Sequence, residues 1–142
     1  MKYSMEGLAL TQRFEGCRYV AYQDSVGVWT IGYGHTRGVH EGMTCTQAQA
    51  LAWLVEDVAS AEAEVNRVVT VPLTQHEFDA LVDFVFNLGD GSFEHSTMLR
   101  LLNAGDHANA VNEFRKWDKA GGVEVAGLLR RRLAEAAEFV EP

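Results

Sequence analysis

Apolar residues recur along this chain at two different periods, and the change of period divides it. Over Met5–Phe14 they fall at helical spacing, and Gly16 closes the run. Arg18–Tyr22 and Val28–Tyr33 instead interleave β-branched and aromatic residues with small or polar ones. That pattern predicts two short strands, joined across Gln23-Asp24-Ser25-Val26-Gly27 by a hairpin loop longer than two residues. From there on the period is helical. Thr46-Gln47-Ala48-Gln49 has capping-box spacing, and Leu51, Leu54, Val55, Val58, Ala61, Val65 and Val68 follow on one face, which predicts a single continuous helix. A second box, Thr74 to Glu77, opens a helix with Phe78, Leu81, Val82, Val85 and Phe86 on its apolar face and Gly89 at its C-terminal cap. Ser96 or Thr97 caps a short helix that runs through Leu102 and stops at Asn103-Ala104-Gly105. His107–Lys119, with Val111, Phe114 and Trp117, and Leu128–Val140 complete the helical set.

The expected fold is α+β and predominantly helical, with a small antiparallel sheet lobe beside a helical lobe and a cleft between them. Chemistry is expected where the glycine-rich first third faces that cleft. No repeat, low-complexity tract or Pro/Ser-rich linker marks a boundary, so residues 1–142 are expected to form a single domain.

Composition narrows the function classes. A chain of 142 residues, 47% hydrophobic and 23% charged, can remove roughly 70% of its unfolded surface from water and needs no disulfide or metal staple. Two cysteines cannot supply a disulfide framework, and Cys17 and Cys45 are expected as free, buried thiols. Twelve Lys and Arg against twenty Asp and Glu give a formal charge of −8, which disfavours nucleic acid as a partner. No apolar run approaches the roughly 20 residues of a membrane helix, and the opening residues lack a secretory h-region, so no membrane insertion and no signal peptide are expected. The five histidines (35, 40, 76, 95, 107) show no close ligand spacing, so neither a metal nor another cofactor is expected.

The chemistry-bearing stretch runs from Glu15 to Thr36. Glu15 ends the first helix, where the partial negative charge of the helix terminus disfavours a carboxylate. Phe14, Tyr22 and Trp29 are candidate apolar walls, and together these features are expected to raise its pKa, as a general acid requires. Asp24 lies in the polar loop, where solvent and loop N–H groups are expected to keep it ionised. Two carboxylates pushed apart in this way suit glycoside hydrolysis, although a helix-end Glu and a turn Asp occur in many domains without function.

The spacing of these residues resembles the phage lysozymes (endolysins) of glycoside hydrolase family 24. Their signature is a Glu, an Asp nine residues on and a Thr six further, in a pattern like E-G-x-x-x-x-A-Y-x-D-x-x-G-x-x-T-I-G-Y-G-H-T. Glu15, Asp24 and Thr30 stand at those intervals. Phe86-Asn87-Leu88-Gly89 is similar to the family's F-N-x-G, and Phe93–Thr97 to its F-x-x-S-T. Gly127–Arg132 with Glu135 is similar to its G-L-x-x-R-R-x-x-E. The resemblance thus spans nearly the whole chain.

It implies hydrolysis of the β-1,4 bond between N-acetylmuramic acid and N-acetylglucosamine of bacterial peptidoglycan, with inversion. Glu15 would protonate the leaving oxygen, while Asp24 and Thr30 hold or activate a water. Thr30 is expected to donate to Asp24 and accept from that water. The resemblance also implies a monomer that stays in the host cytoplasm until a holin releases it to the wall. His35 is expected to be structural, paired with an acid from the helical lobe. Thr36, Phe86, Asn87 and Ser96 are candidate saccharide contacts, although Phe86 is equally suited to the core. Arg130, Arg131 and Arg132 form the densest positive run, read either as a solvated helix face or as an attraction for peptide-stem carboxylates. A catalytically silent wall-binding module, a chitin-directed enzyme and a lytic transglycosylase are the alternatives.

Overall fold

A computed structural model of the chain describes residues 1–89 and 91–142. They form two compact units, Leu8–Ala59 and, discontinuous in sequence, Met1–Gly7 with Ser60–Pro142.

In the first unit, helix α1 (Met5–Glu15), whose first turn belongs to the other unit, leads into strands β1 (Arg18–Gln23) and β2 (Trp29–Gly32). The strands pair antiparallel with Tyr22 opposite Thr30 and Gln23 opposite Trp29, and the register shifts between Arg18 and Tyr22. A segment absent from the sequence reading covers the other edge of β1: the Ala21 N–H donates to the Met43 carbonyl (2.9 Å), and the Cys45 N–H to the Tyr19 carbonyl (2.9 Å). Gly32 has a positive φ of 64°, and a Cβ there would lie 3.1 Å from the Cβ of Ala50 in helix α2 (Gln47–Asp57). Only glycine allows both that backbone and that approach.

Thr46 caps α2 with the expected box through Gln49. The single helix predicted from Thr46 to Val68 is divided, however, into α2 and α3 (Ala59–Val68). Val58 between them keeps right-handed helical angles (φ −79°, ψ −10°) and still donates to the Leu54 carbonyl. The break is a local change in the hydrogen-bond ladder that no Gly or Pro announces.

The second unit is organised on helix α4 (Gln75–Leu88), capped by Thr74 and Glu77 as predicted. Every residue from Glu77 to Val85 is buried, so the helix has no solvated face over this stretch. Around it lie Phe93, Met98, Leu102 and Phe114, with the Phe84 and Phe114 rings edge to face at 5.3 Å. Each such side chain contributes about 1.5–3 kcal/mol by leaving water. Three acids are buried along with them. Asp79 accepts from the Ser4 N–H (3.1 Å) and from Gln75 (2.8 Å), and Glu77 contacts His107 and the Thr74 N–H. Asp83 takes a two-pronged contact from Arg131, Nε at 2.9 Å and Nη2 at 2.8 Å.

Helix α5 (Thr97–Asn103) starts at Ser96. The helix predicted over His107–Lys119 is replaced by α6 (His107–Ala110), capped by Asp106, and a 3-10 turn over Val111–Lys116. A small hairpin follows, β3 (Lys119–Ala120) with β4 (Val123–Glu124). Gly121 and Gly122 connect its strands with φ of 58° and 81°, the left-handed pair a two-residue hairpin turn demands. Helix α7 (Ala126–Phe139) ends the fold. The α+β, helix-dominant class expected from the sequence is the one observed.

Candidate active site

Within the unit Leu8–Ala59, α1 ends at Glu15, β1 delivers Asp24 just past its last residue, and β2 carries Thr30. Asp24 folds its loop around its own side chain. Its Oδ1 accepts the N–H groups of Val26 (3.0 Å) and Val28 (2.8 Å), its N–H donates to the Val28 carbonyl (2.9 Å), and its carbonyl accepts the Gly27 N–H (3.0 Å). Oδ2 has no hydrogen-bond partner among the described residues, and the side chain is exposed. One carboxylate oxygen is therefore fixed by the backbone and the other is open to an incoming molecule.

Thr30 is buried and its hydroxyl donates to the Val28 carbonyl at 3.0 Å. This corrects the expected donation to Asp24, because a hydroxyl has one proton and this one is already placed. Its oxygen lone pairs still accept.

Glu15 is half-buried. Its Oε2 lies 3.3 Å from the position a Cβ on Gly34 would occupy, so the Gly34 backbone (φ 84°) directly flanks the carboxylate. A tight turn brings Gly34 there, in which Ile31 and His35 exchange both of their backbone hydrogen bonds at 2.9 Å.

The turn is held by its side chains. His35 is buried, with Nδ1 2.8 Å from Asp57 and its ring stacked on Trp53 at 4.7 Å and 4°. The expected acid partner thus comes from a helix, but from α2 of the same compact unit. The Tyr33 hydroxyl accepts from Gln12 (2.9 Å) and Gln47 (2.7 Å), and the Oε1 of Gln47 accepts from Tyr19 (2.8 Å). The contacts of Gln12 and Gln47 with Tyr33 have no counterpart in the sequence pattern, since a Gln at a helix surface gives no signal of its partner. Cys17 and Cys45 are free and half-buried. Burial, aided by the nearby Cys17, pushes the Cys45 thiol up, away from its reactive form.

The remaining candidates are distributed as follows. Thr36 is exposed just beyond His35. In the second unit, Phe86 is half-buried and packs against the core. The Oδ1 of Asn87 accepts from Arg132 (2.7 Å), which turns its amide N–H groups away from the guanidinium. Ser96 is buried as the cap of α5, its hydroxyl donating to the Phe93 carbonyl (2.7 Å) and accepting the Leu99 N–H (3.1 Å).

The arginine run divides, which overturns its reading as one cationic surface. Arg130 alone is exposed, while Arg131 and Arg132 are buried against Asp83 and Glu135. Burial, and then Asp83 beside it, push the Glu135 carboxyl up, against the pull of the two guanidinium groups.

A family model described as phage lysozyme matches residues 12–135. The endolysin of Acyrthosiphon pisum secondary endosymbiont phage 1 is 46% identical over 143 residues, 98% of either chain. Among solved structures, the muramidase domain of SpmX from Asticaccaulis excentricus superposes with a TM-score of 0.93 at 40% identity, covering 99% of both chains. A mutant of P22 lysozyme gives 0.92 at 39% identity, again over 99% of each. The chain belongs to the phage lysozyme family. It is a muramidase of the endolysin type, a glycosidase that acts on peptidoglycan in host lysis.

Proposed function

We propose that residues 1–142 act as one catalytic domain that hydrolyses the β-1,4 bond between N-acetylmuramic acid and N-acetylglucosamine with inversion at the anomeric carbon. Glu15 donates the proton to the leaving oxygen. A water donates one hydrogen to Asp24 Oδ2 and the other to Thr30 Oγ1, which aims its lone pair at the sugar, and Asp24 removes a proton as the bond forms. The observation that carries this assignment is the Val28 anchor. It fixes Asp24 through one oxygen, leaves the other open, and holds Thr30 as an acceptor. Thr36, Phe86 and Asn87 are assigned as saccharide contacts. Ser96, with its proton on the Phe93 carbonyl and its oxygen accepting the Leu99 N–H as the cap, is assigned to supporting α5 rather than to touching sugar directly.

Purified peptidoglycan treated with the enzyme should yield muropeptides with reducing muramic ends, and NMR of a defined oligosaccharide should show the α-anomer first. A 1,6-anhydro product would overturn hydrolysis, and a β-anomer first would overturn inversion. Glu15→Gln should lower the rate by about 10²–10⁴-fold, the range a general acid supplies. We further propose a monomer held in the host cytoplasm until a holin opens its path to the wall. This rests on the endolysin relatives, and no helix among the described residues is long and apolar enough to cross a membrane. Fractionating cells that express the enzyme with and without a holin tests it, since release without one would refute that dependence.

A further inference from the structure

Three residues remote in sequence converge within the second unit. Glu6 lies in the first turn of α1, His76 in the first turn of α4, and Glu138 is the penultimate residue of α7. The Nδ1 of His76 is 2.7 Å from Glu138 Oε1 and 3.7 Å from Glu6 Oε2, and the three ligand atoms all lie within 4.8 Å of one another. Tetrahedral zinc, at about 2.0–2.1 Å from its nitrogen and oxygen ligands, separates them by about 3.4 Å. Binding would require the two carboxylates to shift by about an ångström.

The electrostatics also favour a cation. Glu138 sits at a helix C-terminus, where the helix field disfavours a carboxylate and a positive neighbour offsets it. Asp79 adds a further negative charge near His76, and the chain as a whole carries −8.

We infer that Glu6, His76 and Glu138 form a binding site for a divalent transition-metal ion of the zinc class. The ion ties the starts of α1 and α4 to the end of α7, with water completing its shell. Imidazole nitrogen and carboxylate oxygen are both donors that zinc takes. Within the sequence the ligands lie 70 and 62 positions apart, so no short motif marks them. The bond to Glu138 raises His76 above its ordinary value; burial opposes it, and the charges of Glu138, Glu6 and Asp79 add to the rise. A proton therefore competes with the metal, and binding should strengthen with rising pH.

Calorimetric titration of the intact protein with zinc chloride at about pH 8 tests the site, alongside thermal denaturation with and without zinc. One ion per chain is expected, with a midpoint that rises with zinc concentration. Glu6→Gln, at a side chain 73% exposed, should weaken binding by at least about 10-fold. His76→Gln should do the same, whereas His107→Gln should leave binding unchanged. No zinc uptake by the unaltered protein would overturn the inference, as would undiminished uptake by Glu6→Gln and His76→Gln.

Discussion

Asp24 and Thr30 are bonded to the same residue. The Val28 N–H donates to the carboxylate of Asp24, and the Val28 carbonyl accepts from both the Asp24 N–H and the Thr30 hydroxyl. The two side chains assigned to the water are thus positioned by one peptide segment, and the loop cannot move one of them without disturbing the other.

Thr30→Ser keeps the hydroxyl and the anchor, so its kcat should stay close to that of the parent enzyme. Thr30→Val fills nearly the same space but removes the acceptor. Its kcat should fall by about 10²-fold, the cost of misplacing a reactant by an ångström. Turbidity clearing of permeabilised cells provides the rate, and circular dichroism checks that both variants remain folded.

Gly34→Ala combines two effects that Gly38→Ala separates. Both positions have positive φ, 84° and 72°, so alanine at either should cost about 1–2 kcal/mol. Only at Gly34 would the new Cβ meet the Glu15 carboxylate, because nothing lies within 4 Å of the corresponding point at Gly38. Urea denaturation should therefore show similar losses of stability, while wall-lytic activity should fall sharply for Gly34→Ala alone.

Arg131→Ala leaves Asp83, 0% exposed, without its two-pronged partner. Removing one member of such a buried pair costs about 3–5 kcal/mol, which chemical denaturation would register directly. Arg130→Ala, at an exposed position, should change stability by less than about 0.5 kcal/mol.

The His76–Glu138 pair gives the stability curve a defined sign. Because the folded protein raises the pKa of His76 above the ordinary value of 6.5, the pair contributes in full below about pH 6.5. That contribution is lost as pH rises through the raised value. In the presence of a chelator, the melting temperature of His76→Gln should lie below that of the parent at pH 5.5, and the gap should narrow by pH 8.5.

Much of this was legible in the chain itself. Both capping boxes, the hairpin and the Glu15, Asp24 and Thr30 spacing could be read because each is local, with its parts within a few residues or one strand pair of each other. What was missed is long-range. Asp79 and Asp83 look like the wet side of an amphipathic helix, and their bonds to Ser4 and Arg131, remote in sequence, are what a local pattern cannot show. Arg131 and Arg132 look like a surface run for the same reason. The Lys119–Glu124 hairpin is a different kind of miss. Its Gly121-Gly122 signal was present, but it was hidden by the apparent helical period of Val111, Phe114 and Trp117.

The buried acids of α4 also set the order in which the second unit can be assembled. Asp79 is answered by the amino-terminal segment, Glu77 from the middle of the chain, and Asp83 from the last helix. Seating α4 before both ends arrive would strand an anion in oil. The unit should therefore close in one concerted step, and a nick or truncation at either extremity should be felt at its centre rather than at its edge.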